Sequence, residues 1–234
     1  KHFTAPQAWQ GKPVSLVFEG VYQTALVYLN GWLLTRNVNG YAEFTVEAGP
    51  YLKYGADNLL KVIADNSLEP NSRWYTGSGI YRPVRLLVGN KVYLPQDTVR
   101  ITTREADEGF ALLDVTAQVQ SASTVTERVT LQQTICRKGT AVLTDRQNLL
   151  LQPGESRTVS FRYCVDSPAL WSPENPNLYT STMQVLEGEE ELDREETGFG
   201  IRTLSIDAAH GVRINGQTVK LRGCLLYTSD AADE

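Results

Sequence analysis

Apolar and polar residues alternate along many short segments of this chain, and turns rich in Gly, Asn and Pro separate the segments. Val14, Leu16 and Phe18 form one such set, and Phe161 and Tyr163 belong to another. A period of two places one side of a strand in a core and the other side in solvent. Short strands of this kind between frequent turns are typical of antiparallel β-sandwiches. The sequence therefore predicts an all-β protein.

The length of 234 residues is enough for one or two domains. We predict a first domain over residues 1–93 and a second over residues 94–203, with Leu94-Pro95 as the linker. A third segment, residues 204–223, contains the turn Asn215-Gly216. In the second domain, alternating sets predict strands near residues 99–103, 113–119, 129–135, 159–165 and 179–185.

Two dipeptides mark tight hairpins, Asn30-Gly31 in the first domain and Asn215-Gly216 in the third segment. Both residues of such a turn adopt positive φ, which Asn and Gly tolerate best. The second turn joins Val212–Ile214 to a predicted strand over 218–221. The acidic run from Glu187 to Glu196 is interpreted as a solvated hairpin.

Composition argues against several classes of function. The net charge of −5 without a basic cluster argues against a nucleic-acid partner. No apolar run approaches the roughly 20 residues that a membrane helix needs. With only two histidines, and three cysteines without ligand spacing, no metal site, cofactor or Ser-His-Asp triad is expected. Cys136 and Cys164 are expected to be two buried free thiols, although a disulfide between neighbouring strands stays open.

One loop combines turn-forming residues with an unusual number of aromatic and cationic ones. It lies within the stretch from Asp65 to Val88, DNSLEPNSRWYTGSGIYRPVRLLV. A flexible linker would not carry this many aromatic residues. We therefore predict an ordered loop that packs on its own sheet and presents polar side chains. Replacing Gly79 by Val should hurt folding if the loop needs positive φ at that position. Aromatic rings with amide and guanidinium donors suit a carbohydrate ligand.

Residues 71–82, NSRWYTGSGIYR, resemble the signature of the sugar-binding domain of glycoside hydrolase family 2, in its β-galactosidase-like branch. Residues 170–179, LWSPENPNLY, and 198–202, GFGIR, resemble two further landmarks of that family. The resemblance implies a jelly-roll-like sugar-binding sandwich, truncated at its N-terminus, for residues 1–93. It implies an immunoglobulin-like β-sandwich for residues 94–203, and a hairpin that leads into a missing (β/α)8 barrel for residues 204–223.

The family resemblance also implies the chemistry. Retaining glycosidases use two carboxyl groups about 5 Å apart, and in this family both are Glu residues of the barrel, beyond Gly223. No catalytic residue is therefore expected in this chain, which should be inactive alone. Its expected partners are the barrel in cis and a substrate with a terminal β-linked sugar, most simply a β-galactoside. Homo-oligomers stay open, and the sequence does not indicate the cellular compartment.

The substrate-binding residues implied by the resemblance are Asn71, Ser72, Arg73 and Trp74, which match the loop that reaches over the barrel mouth. An amide both donates and accepts hydrogen bonds, and a guanidinium offers a fork of donors. Packing is the competing role. The packing role is preferred for Trp74 and also for Tyr81. For Asn71 and Arg73 the choice between packing and sugar binding stays open. Arg82, near the start of the next strand, is interpreted as a structural ion-pair partner.

Residues 224–234, CLLYTSDAADE, depart from the family pattern. The segment can be back-translated as a transposon-type sequencing adapter read in frame, so we expect this tail to be non-native. Two alternative readings stay open for the whole chain: a stand-alone carbohydrate-binding module and a purely structural β-sandwich. The hairpin between Val212 and Gly223 favours the glycosidase reading, because neither alternative requires it.

Overall fold

The computed structural model describes residues 1–67 and 77–221, which group into two compact units. The first unit contains Lys1–Tyr93 with the segments Gln120–Glu127 and Leu151–Glu155, and the remaining residues form the second. The described residues contain no α-helix, only two short 3-10 turns at Gln7–Trp9 and Gly49–Tyr51. None of their helices is long and apolar enough to span a membrane. The all-β prediction is confirmed.

The first unit is built mainly from two antiparallel sheets. Strands 1, 7, 4 and 5 form one sheet in that order, strands 6, 2 and 9 form another, and strands 3 and 8 pair as a short ribbon. The strand bounds are β1 (His2–Thr4), β2 (Val14–Phe18), β3 (Val21–Tyr22), β4 (Thr24–Leu29), β5 (Trp32–Asn37), β6 (Phe44–Glu47), β7 (Asp57–Asp65), β8 (Gly79–Ile80), β9 (Val84–Val88) and β10 (Val92–Tyr93).

The core of the first unit lies between these two sheets. The alternating residues of β2 and β4 are buried, and the inner residues of β7 and β9 pack against them. Phe18 is fully buried and stacks on Phe44 with ring centroids 4.9 Å apart. Each large apolar side chain buried in this way contributes about 1.5–3 kcal/mol. The period of two in the sequence thus determines which side of each sheet meets the other.

Both predicted hairpin turns are confirmed by their backbone angles. Asn30 and Gly31, between β4 and β5, have φ of 51° and 90°. Asn215 and Gly216 have φ of 51° and 76°. Only the left-handed region provides these angles, which is why Asn and Gly are the residues found there.

The second unit continues the antiparallel pattern with longer strands. Strand 12 lies between strands 11 and 15, strands 14, 13, 16 and 17 form a second sheet in that order, and strands 18 to 20 form a third. The bounds are β11 (Arg100–Ala106), β12 (Phe110–Ser121), β13 (Glu127–Arg137), β14 (Thr140–Leu151), β15 (Ser156–Asp166), β16 (Tyr179–Glu187), β17 (Glu190–Phe199), β18 (Leu204–Asp207), β19 (Gly211–Ile214) and β20 (Gln217–Thr218).

The five strands predicted for this region from alternation are all present. The alternating residues of β12, β13, β15 and β16 are buried, whereas those of β11 are only partly buried. The acidic run forms the predicted hairpin of β16 and β17. It is not solvated on both sides, however. Asp193 and Glu195 lie opposite the fully buried Val185 and Met183. Carboxylates on the inner side of an edge strand are one way in which proteins prevent such an edge from pairing with another chain.

Two further expectations need correction, and one strand lies outside the prediction. Strand β14 was not predicted, because only Leu149 and Leu151 of its twelve residues are buried and no alternation marks it. Cys136 and Cys164 are free thiols, but neither is buried as expected: Cys136 is half-buried, and Cys164 is exposed because it alternates with the buried residues of β15. Strand β20 ends at Thr218, whereas the sequence predicted a strand to residue 221. The predicted domain bounds and the jelly-roll and immunoglobulin-like assignments stay predictions.

Candidate functional site

The loop that carries the predicted sugar-binding residues follows β7, which ends at Asp65. Asn71, Ser72, Arg73 and Trp74 fall in the stretch 68–76, outside the described residues. Their roles therefore stay predictions. The described residues on either side define the base of the loop, and the site is built here from that base.

One hydrogen bond joins the two ends of the loop, and a second holds the chain at the departing end. The amide nitrogen of Asn66 donates to Oγ of Ser78 over 2.6 Å, and the backbone N–H of Ser67 donates to Oδ1 of Asp65 over 2.9 Å. Hydrogen bonds from Ser67, with a smaller contribution from the charge of Arg36, hold the pKa of Asp65 below its usual range. Asp65 is therefore a carboxylate at neutral pH, and it fixes the point where the chain leaves the sheet.

The returning end of the loop is fixed by the ribbon of β3 and β8, in which Tyr22 pairs with Gly79 and Val21 with Ile80. Gly79 has φ of 94°, which is the condition under which Gly79→Val is expected to hurt folding. Other residues rarely adopt this angle, and glycine allows the chain to turn into the ribbon without strain.

Three tyrosines surround the base of the loop. The ring of Tyr22 is buried and lies 5.3 Å from that of the exposed Tyr41, measured between centroids. The hydroxyl of Tyr81 donates to the carbonyl oxygen of Gly40 over 2.8 Å. A Cβ atom on Gly40 would lie 2.3 Å from the Tyr22 ring, and one on Gly20 would lie 2.6 Å from the Tyr81 ring. The two glycines thus allow the rings to pack directly on the backbone, and the Tyr81 contact agrees with the packing role given to that residue.

Tyr41 is the functional candidate that the sequence did not single out. Its turn is rigid, because Oδ1 of Asn39 accepts from the backbone N–H groups of Tyr41 and Ala42 over 3.0 and 3.2 Å. Its ring is nevertheless 62% exposed. Partial burial by its neighbours, followed by the interaction with Tyr22, raises the pKa of the Tyr41 hydroxyl, which stays protonated at neutral pH. A fixed, exposed aromatic ring beside the loop can stack on the apolar side of a sugar ring. The turn signal Asn39-Gly40 was visible in the sequence, but the neighbouring rings were not.

A cleft of about 1010 Å³ lies in the second unit. It is lined by the turn at Ala106–Glu108, by residues 170–177 and by the hairpin 214–220.

Within the described stretches 1–67 and 77–221, no group of three or more His, Cys, Asp or Glu side chains is placed to hold a metal ion.

Trp171 connects the two sequence landmarks of the second unit. Its backbone N–H donates to the carbonyl oxygen of Ile201 over 2.8 Å, and the guanidinium carbon of Arg202 lies 4.4 Å from its ring centroid. A Cβ atom on Gly200 would lie 2.8 Å from the same ring. The segments 170–179 and 198–202 therefore mark a packing contact between two segments far apart in the sequence, and no catalytic group is needed to explain their residues.

The comparisons with known proteins agree with this fold. The model of "Glycosyl hydrolases family 2" matches residues 92–202. Beta-galactosidase BoGH2A of Bacteroides ovatus is 34% identical over 228 residues, which are 97% of this chain and 27% of that protein. A putative beta-glucuronidase of Formosa agariphila is 34% identical over 224 residues, 95% of this chain and 21% of that protein. A family 2 member from Bacteroides cellulosilyticus superposes with a TM-score of 0.87 at 32% identity, over 93% of this chain and 30% of that structure. The chain belongs to glycoside hydrolase family 2.

Membership of family 2 does not by itself identify the substrate, because the relatives are longer than this chain and differ in activity. The chain spans about a quarter of the length of the curated relatives that it matches. They also differ in the activity that their names give, since both β-galactosidases and β-glucuronidases are among them. A beta-glucuronidase of Bacteroides uniformis also superposes, with a TM-score of 0.88 at 28% identity over 95% of this chain and 28% of that structure. Family membership therefore supports glycoside hydrolysis and does not select the sugar.

Proposed function

We propose that this chain is the non-catalytic N-terminal part of a retaining glycoside hydrolase that acts on β-galactosides. Its loop, from Asp65 to Gly79, positions the terminal β-linked sugar at the mouth of a catalytic barrel in the same polypeptide. The observation that carries this proposal is the fixed base of the loop. The hydrogen bond between Asn66 and Ser78 joins both ends, and the β3–β8 ribbon fixes the returning end at Tyr22, whose ring contacts the exposed ring of Tyr41.

The proposed roles follow from the chemistry of the side chains. Asn71 offers an amide that both donates to and accepts from sugar hydroxyls, and Arg73 offers a fork of donors. A rigid base matters because a displacement of about 1 Å in substrate position can cost about a hundredfold in rate. Bond cleavage belongs to the two carboxyl groups of the barrel, which act as acid/base and nucleophile. The 234-residue chain alone is accordingly expected not to hydrolyse glycosides.

The choice of a galactoside is supported by the β-galactosidase of B. ovatus, and the β-glucuronidase relatives support the second candidate, a glucuronide. The two substrates differ by one carboxylate, which a glucuronidase has to neutralise with a cation. Assays of the longer enzyme with p-nitrophenyl β-galactoside and p-nitrophenyl β-glucuronide distinguish the two. A clear preference for the glucuronide would overturn the galactoside assignment but leave the positioning role intact.

Arg73→Ala in the longer enzyme is expected to lower kcat/KM for the preferred substrate about tenfold, equivalent to about 1.4 kcal/mol of transition-state binding. Steady-state kinetics measure the effect, and an unchanged Tm would show that folding is intact. Arg128→Ala is the matched control, because it removes an exposed arginine of the second unit. Wild-type kinetics for Arg73→Ala would assign Arg73 to packing and contradict its positioning role.

A further inference from the structure

We propose that Trp32 and Tyr51 form a second sugar-binding surface, which stacks on a pyranose ring of an extended β-linked glycan. The proposal rests on the proposed function only in taking the substrate to be a carbohydrate. The surface is separate from the loop and from Tyr41. It would hold a distant part of the same glycan and keep the chain near its substrate.

The two rings are exposed and close together. Trp32 is 65% exposed at the start of β5, and Tyr51 is 37% exposed at the end of a 3-10 turn. Their centroids lie 6.4 Å apart, and their planes are inclined by 47°. The pair thus forms one exposed aromatic surface whose two rings are inclined to each other. Aromatic side chains of this kind combine a broad apolar area with a polar tip, as a sugar ring requires.

One network of hydrogen bonds, which includes the fully buried Asn58, holds the backbone next to both rings. The amide nitrogen of Asn30, two residues before Trp32, donates to the carbonyl oxygen of Tyr51 and to Oδ1 of Asn58, both over 2.8 Å. Oδ1 of Asn30 accepts from the backbone N–H of Leu59 over 3.0 Å. A single side chain therefore ties the turn before Trp32 to the backbone of Tyr51.

Asn58 completes this network. It is fully buried, accepts from the backbone N–H of Lys53 over 2.8 Å, and donates to the carbonyl oxygens of Lys53 and Ala56 over 2.9 and 3.0 Å. Fixed backbone on both sides means that little conformational freedom of the main chain is lost when a ligand stacks on the rings. Preorganisation of this kind favours binding.

The register of β4 and β7 places this surface away from the loop. Leu29 pairs with Leu60 at the end near Trp32, and Thr24 pairs with Asp65 at the end where the loop begins. Leu60 and Asp65 are five steps apart along an extended strand, or roughly 17 Å. One short ligand bound at the loop therefore does not reach Trp32, whereas a longer glycan does.

The size of the surface argues for a sugar and against a second copy of the chain. A stable protein interface needs about 800 Å² from each partner. Even complete burial of two aromatic side chains removes only about 150–250 Å² each, and much of Tyr51 is already covered. One pyranose ring is of the right size for two neighbouring aromatic rings.

The test is affinity electrophoresis of the 234-residue chain in gels that contain soluble galactan, arabinogalactan, xyloglucan or glucuronoxylan. We expect retention by at least one of these polysaccharides, and at least a tenfold loss of affinity in Trp32→Ala and in Tyr51→Ala. Trp32→Phe should keep part of the affinity, because it keeps a ring. Leu33→Ala is the matched control, since Leu33 is the next residue of β5 and is also exposed. Unchanged melting curves would exclude unfolding as the cause.

The outcomes separate this surface from the loop. Affinity lost in Arg73→Ala but kept in Trp32→Ala would assign binding to the loop, which supports the proposed function and overturns the second surface. Absence of Trp32-dependent retention by all four polysaccharides would also overturn it, while the kinetics of Arg73→Ala still test the proposed function. A concentration-dependent dimer that Trp32→Ala abolishes would identify the surface as a protein interface instead.

Discussion

Gly40→Ala is expected to lower the free energy of unfolding by about 3 kcal/mol, at the upper end of the usual cost of overpacking. The added Cβ would lie 2.3 Å from Cδ2 and 3.2 Å from Cγ of Tyr22. The clash involves the base of the ring as well as its side, so rotation of the side chain does not relieve it. Tyr22 is buried and packs on Tyr41, and the Tyr81 hydroxyl holds the carbonyl oxygen of Gly40. Moving either the Tyr22 ring or the backbone at Gly40 would therefore break these contacts and cost free energy.

Urea unfolding followed by far-UV circular dichroism measures this loss. Gly198→Ala is the matched control, because a Cβ at that position meets no atom within 4 Å and its φ is not positive. It should change the free energy of unfolding by less than about 0.5 kcal/mol. Wild-type stability of Gly40→Ala would mean that the Tyr22 ring yields easily, and the rigid base proposed for the loop would then lose its support.

The fold was largely predictable because its strands alternate. Leu113, Val115, Ala117 and Val119 occupy every second position of β12, and all are fully buried. This alternation involves only neighbouring residues of one strand, so the sequence alone is sufficient to predict the strand. Strand β14 shows the limit of this reasoning: its residues are mostly exposed, and it is a strand because β13 offers it hydrogen-bonding partners. Pairing between strands is not visible in the pattern of one of them.

The site was predictable only in part, for a similar reason. The loop residues Asn71 to Trp74 could be singled out because they are contiguous in the sequence and resemble a family signature. Tyr41 could not, because its site depends on Tyr22 of β3 and on Tyr81, which follows β8, and both lie far from it in the sequence. The inner position of Glu195 was missed because an acidic run is usually solvated, and the register with Met183 decides which residues of β17 face the core.

Glu195→Gln is expected to stabilise the protein by about 2 kcal/mol at pH 8. Burial, followed by the charges of Asp97 and Asp193, raises the pKa of Glu195 to about 7 from the usual 4.5. Met183, opposite it on β16, is apolar and fully buried. A shift of this size corresponds to about 3 kcal/mol, which we reduce because solvent reaches this edge strand and screens the repulsion.

The pH dependence follows from proton binding. Between about pH 4.5 and pH 7 the folded chain keeps the proton on Glu195, whereas the unfolded chain releases it. The folded state thus binds more protons in this interval, so its stability falls as the pH rises. Glutamine cannot ionise. The stability difference between Glu195→Gln and the wild type should therefore be small near pH 4.5, grow through pH 7, and level off near pH 8.

The neighbouring carboxylates provide a second variant. Oδ2 of Asp193 accepts from the backbone N–H of Leu94 over 2.7 Å, so its replacement would also remove a backbone contact. Asp97 has φ of 58°, and Asn tolerates that region as well as Asp does. Asp97→Asn therefore removes one repulsive charge at little backbone cost, and it should give a smaller stabilisation with the same pH dependence.

Thermal and urea unfolding of the wild type, Glu195→Gln and Asp97→Asn from pH 4.5 to pH 8.5 measure these effects. Glu190→Gln is the control, because it removes the same charge from an exposed position of β17. It should give a nearly constant difference from the wild type. A Glu195→Gln difference that does not change with pH would show that Glu195 titrates normally, and its carboxylate would then be hydrated rather than turned toward the core. A stability difference that grows through pH 7 would instead show that the Glu195 carboxyl group titrates on the inner side of β17. Asp97 lies near this carboxyl group, and Leu94 is hydrogen-bonded to the neighbouring Asp193.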